Sequence, residues 1–271
     1  MRQTGMLWAA KKLLSGNSFR VGVALVLAVM CALPIAAQSK MADEKQPMYG
    51  YVAFWVFPRD KWTELEKGNA ETEAMLQKAM QSGALVNYGS DDVLVHSTEG
   101  PTHDNWWSSM SIAGILNTLE QVRGANLANN TNIRNSANKH WDAFTISRYY
   151  NWKPGSYKGA YTRVSYFRFK PDAPDDGLKT LAVNGLVPFY EKLLASGAII
   201  EYEIDEEYIH TENPAGFWAV VVSPNAEGLD KVATGLRDYM KTSPLFGPAA
   251  GGMIDWTSHR DYLMRTNATF K

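Results

Sequence analysis

The sequence predicts an α+β protein whose chain carries two tandem copies of one βαββαβ unit. Two observations lead to this prediction. The segments 78–99 and 192–213 share seven identities over 22 gapless positions at a constant offset of 114 residues, and a repeat of this kind marks a duplicated structural unit. Each copy also shows the same order of strand and helix patterns. The copies are predicted at 49–152 and 161–266, and the turn-rich stretch 153–160 is predicted as the linker between them.

The first strand of each copy is an apolar, aromatic run that ends before a proline, as strands do. These runs are Tyr51–Phe57 and Arg163–Phe169. An amphipathic stretch follows each of them, at Trp62–Gln81 and at Leu178–Ala195, and its apolar spacing predicts a helix. Pro188 lies inside the second stretch, so this helix either kinks there or begins there.

A strand or bent hairpin follows each helix, at Ala84–Ser97 and Ala198–Thr211. In the second copy the side chains alternate between two faces, as strand residues do. One face carries Ile200, Tyr202, Ile204, Tyr208 and His210, and the other carries Glu201, Glu203, Asp205 and Glu207. We expect the acidic face to be solvated; the alternative is that its carboxylates project into a barrel and bind a cation.

A strand, a helix and a last strand complete each copy. They are predicted at Trp106–Ile112, Ile115–Arg123 and Phe144–Tyr150, and again at Phe217–Ser223, Leu229–Met240 and Trp256–Met264. Long loops, 124–139 and 241–252, precede the last strands. We expect them to be surface loops; the alternative is that they cover the mouth of a cavity.

The order βαββαβ resembles the ferredoxin-like unit. Two such units side by side resemble the dimeric α/β-barrel superfamily, and their fusion in one chain resembles its chlorite dismutase-like branch. The resemblance covers nearly all of the chain beyond residue 48 and rests on element order and duplication. It implies one domain in which two four-stranded sheets close around a central cavity. Since one chain supplies both halves, we expect a monomer.

The N-terminal residues 1–37 are predicted as a signal peptide. A basic, acid-free start precedes the 13-residue apolar stretch Val21–Leu33, and the small residues Ala36 and Ala37 follow it, which is the order of a secretory signal. We therefore expect a periplasmic or secreted protein that leaves the membrane after cleavage; an uncleaved anchor is the alternative. Cys31 is the only cysteine, so no thiolate chemistry is expected beyond it.

The charge balance argues against a nucleic-acid partner. Residues 1–37 hold four of the 27 basic residues and none of the 28 acidic ones. The remainder therefore carries 23 basic against 28 acidic residues and has no basic cluster for a phosphate backbone.

Two histidines are the main candidates for catalysis. His96 and His210 occupy equivalent places near the end of the same strand in each copy. An imidazole there would ligate haem iron or move a proton, and Tyr202 shares the face of His210. The alternative is a strand-end histidine bonded to a neighbouring loop. No other metal ligand set is expected, and haem at His210 is the cofactor to test.

Arginine, tyrosine and tryptophan residues are the candidates for ligand binding. Arg148 and Tyr150 align with Arg260 and Tyr262 at an offset of 112, and residues two apart on a strand share a face, so each pair would offer an anion a guanidinium and a phenol. The alternative is an arginine paired with an acid such as Asp205. Trp55, Trp107 and Trp218 would suit a flat, apolar ligand, and core packing is their alternative.

Three functions remain open at this point. We expect an exported small-molecule binding protein that holds an apolar or aromatic ligand in the barrel cavity, because the tryptophans accumulate while standard catalytic motifs are missing. The first alternative is an oxidoreductase of the superfamily, either haem-dependent or cofactor-independent and monooxygenase-like. The second is a solidly packed barrel that acts through its surface.

Overall fold

The computed structural model describes residues 45–128, 135–211, 215–243 and 246–271. The predicted signal peptide, 1–37, lies outside these ranges. The strands are β1 (Met48–Val56), β2 (Asn87–Val93), β3 (His103–Ser109), β4 (Lys139–Trp152), β5 (Gly155–Phe169), β6 (Glu201–Glu207), β7 (Gly216–Ser223) and β8 (Ile254–Phe270). The helices are α1 (Trp62–Gln81), α2 (Ile112–Ala128), α3 (Gly177–Leu181), α4 (Val187–Ser196), α5 (Ala226–Thr242) and α6 (Phe246–Met253).

The eight strands close into one antiparallel barrel. The first four run in the order β4-β1-β3-β2 and the last four in the order β8-β5-β7-β6. The two sheets join where β2 pairs with β8 and where β6 pairs with β4. The predicted α+β class and the barrel are thereby confirmed.

Each strand has one face toward the barrel interior and one toward the helices, because side chains alternate along a strand. On β1, Val52 and Phe54 line the interior, whereas Tyr51 and Trp55 lie in the hydrophobic cluster with side chains of α1 and α2. The helices of the second half cover β6 and β7 in the same way. Burial of each large apolar side chain contributes about 1.5–3 kcal/mol, so helix-on-sheet packing holds the fold while the interior face is left for other chemistry.

Three local features differ from or refine the predicted elements. The range 153–160 contains only the turn at Lys153 and Pro154 before β5 begins. The predicted loop 241–252 contains most of helix α6, because Phe246 is buried against Gly185, where a Cβ atom would overlap its ring. Pro188 is in the first turn of α4, so it marks a helix start, and the preceding Ala182–Leu186 forms a π-helical segment.

The register of the last strands differs from the sequence alignment. Phe54 of β1 lies opposite Trp141 of β4, and Tyr166 of β5 lies opposite Arg260 of β8. Arg260 therefore occupies the place that Trp141 has in the first half, not the place of Arg148. A bulge in β4 between Ser147 and Tyr149 shifts the register further.

The tryptophans of β3 and β7 show a similar difference. Asp104 lies opposite Phe54 in the first half, and Trp218 lies opposite Tyr166 in the second. The structural counterpart of Trp218 is therefore Asp104 and not Trp107. None of the helices in the described ranges has the length and apolarity needed to cross a bilayer.

Candidate functional site

The barrel encloses a cavity of about 460 Å³. Residues from all eight strands line it, and the aromatic ones are Tyr51, Phe54, Trp106, Trp107, Trp141, Tyr166, Trp218 and Tyr262. A cavity of this size lies within the range of small-molecule sites. The alternative of a solidly packed barrel is therefore wrong.

Six carboxyl groups share this cavity with the aromatic side chains. They belong to Asp91 of β2, Asp104 of β3, and Glu201, Glu203, Asp205 and Glu207 of β6, and every one of these residues is at most 9% exposed. The expectation of a solvated acidic face on β6 is wrong. The predicted alternation itself is correct. The apolar face of β6 packs under the helices, and its acidic face points into the barrel. A closed barrel covered by helices has no outer strand face in contact with water.

Asp91 of β2 and Asp104 of β3 lie directly opposite each other, and their carboxyl groups are close enough for Asp104, when protonated, to donate to Asp91. Trp106 Nε1 donates to Asp91 Oδ2 at 2.9 Å, and the indole lies over Gly89, where a Cβ atom would overlap the ring. Thr266 of β8 also hydrogen-bonds Asp91. Glycine at position 89 thus leaves room for the indole that positions the carboxyl group.

The two carboxyl groups differ in proton affinity. Burial raises the pKa of Asp91 to about 6, although hydrogen bonds from Thr266, Asp104 and Trp106 act against the rise. Burial, followed by the neighbouring Asp91 charge, raises the pKa of Asp104 well above its usual value. The pair therefore loses its two protons in separate steps, and Asp104 is the donor and Asp91 the acceptor between them. Such a separation of two carboxyl groups is typical of acid–base sites.

The carboxyl groups of β6 lie across the cavity from this pair. Burial raises the pKa of Glu201 to about 8; a hydrogen bond from Glu203 opposes the rise, and the charges of Asp205 and Asp91 contribute to it. Burial likewise raises the pKa of Glu203 and of Asp205. Asn87 Nδ2 donates to Glu203 Oε1 at 3.2 Å, which links the two walls.

Basic and phenolic groups complete the wall. Arg168 of β5 and Arg260 and Tyr262 of β8 line the cavity. Arg260 is exposed to solvent, so it marks the open side of the cavity. Tyr166 Oη is buried without a hydrogen-bond partner among the described residues. This side of the cavity therefore offers guanidinium and phenol groups that can donate hydrogen bonds to a substrate.

Four predicted ligand-binding residues are among those that line the cavity, namely Trp107, Trp218, Arg260 and Tyr262. Trp107 also belongs to the hydrophobic cluster under α1 and α2. Trp55 lies in that cluster and not in the cavity wall, and it stacks on the His140 ring at 3.7 Å. Trp55 therefore has the alternative role, core packing.

Arg148, Tyr150 and Tyr202 lie outside the cavity wall. Arg148 Nη1 lies 3.8 Å from Glu206 Oε2, on the outer face. Tyr150 Oη donates to the Gln46 carbonyl oxygen at 2.8 Å. Tyr202 Oη donates to Glu191 Oε1 at 2.6 Å under helix α4. Each of these three side chains holds together parts of the fold.

The histidines do not fit a haem site in this cavity. His96 and His210 are exposed on the segments that follow β2 and β6, and His96 lies beside the Trp62 ring. No histidine lines the cavity within the part of the chain that the structure describes. In the same ranges, no group of three or more His, Cys, Asp or Glu residues has a metal-binding arrangement.

Similar folds occur among solved structures. A monooxygenase candidate from Fusobacterium nucleatum has a TM-score of 0.57 and 13% identity over 84% of this chain and 95% of its own. One from Lactobacillus acidophilus has 0.55 and 12% over 83% and 97%. A chlorite dismutase candidate has 0.50 and 11% over 81% and 94%. No protein-family model matches the sequence, and no curated protein does.

These neighbours belong to the dimeric α/β-barrel superfamily, and this chain has a barrel of that kind. Their descriptions concern oxidoreductases, so they contradict the predicted binding protein and support the oxidoreductase alternative. The cavity gives the physical reason: its wall is not merely apolar and aromatic but holds six buried carboxyl groups.

The sequence did not predict the contact between Asp91 and Asp104. Asp91 and Asp104 come from different strands, and no spacing along the chain signals their contact. The β6 carboxylates had a detectable signal, since they alternate with side chains that must face the helices. A barrel covered by helices leaves only the interior for the second face of each strand.

Proposed function

We propose that this protein is a cofactor-independent, monooxygenase-like oxidoreductase that acts on a flat aromatic molecule inside the barrel. The observation that carries the proposal is the buried Asp91–Asp104 pair in the wall of an aromatic cavity. Two similar solved structures are described as monooxygenases, which agrees with this class of reaction.

Asp91 is the base in this proposal. A pKa of about 6 leaves its carboxylate ionised at neutral pH yet basic enough to accept a proton, as general-base catalysis requires. Neutral Asp104 and the Trp106 indole hold the carboxylate in place by hydrogen bonds. The base removes a proton from an activated carbon of the substrate.

The oxidant is dioxygen, and the substrate supplies the electrons. Deprotonation gives a delocalised anion, which is electron-rich enough to react with dioxygen directly. The carbon loses two hydrogens and gains a carbonyl oxygen, and the second oxygen atom leaves as water. The sum, CH₂ plus O₂ to C=O plus H₂O, needs no other reductant and no metal.

The open side of the cavity stabilises the anion. Arg260 and Tyr262 lie two residues apart on β8, and both line the cavity. A guanidinium and a phenol aimed at a developing oxyanion stabilise it strongly where water is excluded. The aromatic wall, including Trp141 and Trp218, holds the ring of the substrate.

Oxygen uptake tests the proposal. We expect the protein to consume dioxygen with a planar ketone that has an activated benzylic methylene, such as 2-tetralone, one dioxygen per carbonyl formed. Asp91→Asn should lower kcat at least about 100-fold, the usual scale for loss of a general base. Asp230→Asn in α5 is the matched control, since its side chain is exposed and is not among the residues that line the cavity. No uptake with any such ketone, or equal rates for wild type and Asp91→Asn, would contradict the proposal.

The tandem duplication, export and a monomeric state belong to the same proposal. The equal strand order of the two halves supports a duplicated ferredoxin-like unit, 49–152 and 161–266. The basic and apolar pattern of 1–37 supports export to the periplasm or the medium. Intact mass of the protein recovered from a secreting host tests cleavage after Ala37, and native mass tests the monomer.

A further inference from the structure

We propose that the substrate carries a positively charged amino group, which the cavity binds between the carboxylates of β6 and those of β2 and β3. The inference rests on the proposed function and names the class of its substrate: a flat aromatic amine in its ammonium form. Four steps lead to it, and each concerns a different property of the cavity wall.

The first is the surplus of acid. Five of the cavity carboxyl groups have no ion pair among those of the described residues: Asp91, Asp104, Glu201, Glu203 and Asp205. Only the guanidinium groups of Arg168 and Arg260 line the same wall. A buried carboxylate without a partner charge is costly, so a ligand that brings a positive charge is favoured and an anion is repelled.

The second is a set of buried acceptors without donors. Asn87 is fully buried and lies on the cavity face of β2, two residues from Gly89 and four from Asp91. Its Nδ2 donates to Glu203, which leaves Oδ1 without a partner among the described residues. Asp205 Oδ1 is in the same situation. Since unmatched buried acceptors are rare, a group that only donates completes them, and an ammonium has three donors and no acceptor.

The third is the aromatic wall. Trp106, Trp141 and Trp218 present indole rings to the same cavity as the carboxyl groups. Indole faces attract cations as well as flat rings, and the attraction increases where water is excluded. A wall of carboxylates and indoles together therefore matches an organic cation better than it matches a neutral hydrocarbon.

The fourth concerns metal ions. Calcium takes six to eight oxygen ligands at 2.3–2.6 Å, and within the described ranges no acidic group has such an arrangement. The carboxyl groups are distributed over opposite walls instead, near enough that the charge of Asp91 acts on Glu201. This spacing suits a larger, softer cation that lies between the walls.

Binding then has a proton signature. The titratable and charged residues that line the cavity are Tyr51, Asp91, Asp104, Asp142, Tyr166, Arg168, Glu201, Glu203, Asp205, Glu207, Arg260 and Tyr262. Burial raises the pKa of Glu201 to about 8, so part of the acid is neutral at pH 7. A bound ammonium favours the carboxylate form, so each binding event releases protons and the affinity rises with pH.

Calorimetry with three matched probes tests the inference on the full-length protein. The probes are 2-naphthylmethylammonium, the neutral alcohol 2-naphthalenemethanol and the anion 2-naphthoate. At pH 7 we expect the ammonium to bind at least 10-fold more tightly than the alcohol and the naphthoate to bind least. Its binding heat should change between buffers of different ionisation enthalpy, which reports proton release.

Two variants locate the effect. Asp205→Asn should reduce the affinity for the ammonium probe at least 10-fold and leave the affinity for the alcohol within 2-fold. Asp230→Asn in α5 is the matched control, because its exposed side chain is not among the residues that line the cavity, and it should change neither affinity. If Asp205→Asn fails to fold, the three probes and the buffers of different ionisation enthalpy still test the cation site on the wild-type protein.

The possible results separate the two proposals. Equal affinity for the ammonium and the alcohol, absence of proton release, or displacement of the ammonium by 1:1 binding of Ca²⁺ or Mg²⁺ overturns the cation site. In that case, oxygen uptake with neutral ketones would still support the oxidoreductase. Tight ammonium binding without oxygen uptake with either the planar ketones or aromatic amines supports the cation site and contradicts the oxidoreductase.

Discussion

Strands β2 and β6 hold matching places in the two halves but present different chemistry to the cavity. β2 lies between β3 and β8, and β6 lies between β7 and β4. Their inward positions match in order: Asn87, Gly89, Asp91 and Val93 on β2 against Glu201, Glu203, Asp205 and Glu207 on β6. One strand offers one carboxyl group and the other offers four. The same backbone frame thus supports two unlike walls.

Gly89 and Glu203 show how the two walls differ. On β2, glycine lets the indole of Trp106 cover the strand and reach Asp91. On β6, the matching glutamate lies opposite Val220, and its carboxyl group accepts from Asn87 across the cavity. The first half therefore positions one carboxyl pair, and the second half supplies four further carboxyl groups to the same cavity.

The largest effect expected in a test of this comparison is that of Gly89→Ala. The added methyl group would overlap the Trp106 ring, so the indole must move and the bond to Asp91 breaks. We expect a loss of about 1–3 kcal/mol in the free energy of unfolding, measured by urea denaturation. Gly124→Ala in α2 is the control: no atom lies within 4 Å of its added Cβ, so it should stabilise by roughly 0.5–1 kcal/mol. Equal changes in the free energy of unfolding for the two variants would contradict the close contact between Gly89 and the Trp106 ring.

Stability should next fall as the pH rises from 7 to 9. The pKa of Glu201 is about 8 in the fold against 4.5 in the unfolded chain, so only the fold keeps this proton near neutral pH, and stability is lost as the pH rises through the folded pKa. We expect a decrease of roughly 1–3 kcal/mol. Burial lowers the pKa of His103 to about 4. His103 affects the pH dependence of stability only at lower pH, because above about pH 7 it is neutral in both the folded and the unfolded state.

Urea titrations at pH 7, 8 and 9 measure this decrease, and Glu201→Gln should make it smaller. Glu206→Gln on the outer face should leave it unchanged. A free energy of unfolding that rises or stays constant over this range would show that the β6 carboxyl groups are not protonated in the fold.

A smaller effect is expected from Trp106→Phe on the pH dependence of catalysis. The indole donates to Asp91, and a donor favours the ionised form, so its removal raises the pKa of the base. The acid limb of the kcat/KM profile should move up by about 0.5–1 pH unit. Trp107→Phe, on the outer face of the same strand, should leave the limb in place; equal shifts would contradict the assignment of Asp91 as base.

The smallest effect is expected from the two aligned histidines. His96 and His210 are exposed, and surface substitutions usually change stability by less than about 0.5 kcal/mol. His210→Ala should therefore leave oxygen uptake, the absorption spectrum and the unfolding curve unchanged. A haem-type absorption band in the wild type that His210→Ala abolishes would contradict the absence of haem from the site.

Sequence reasoning about single elements was largely sufficient, because local patterns carry that information. Pro58 ended the first strand near the observed end of β1, and Pro188 marked the start of α4. The alternation along 200–207 correctly separated two faces of β6. Helix α6 was missed, because Gly247, Pro248 and Gly251 predict a loop, whereas tertiary contacts, including that of Phe246 with Gly185, stabilise the helix.

The sequence by itself therefore determined the element order and the α+β class, since periodicity and turn residues act over a few positions, and the barrel followed from the resemblance of that order to the dimeric α/β-barrel superfamily. The tertiary structure alone decided which face of each strand is inside, that Asp91 meets Asp104, and that Arg260 rather than Arg148 faces the cavity. Barrel closure and the bulge in β4 set these facts. They depend on register between distant strands, and a shift of one residue reverses every side chain.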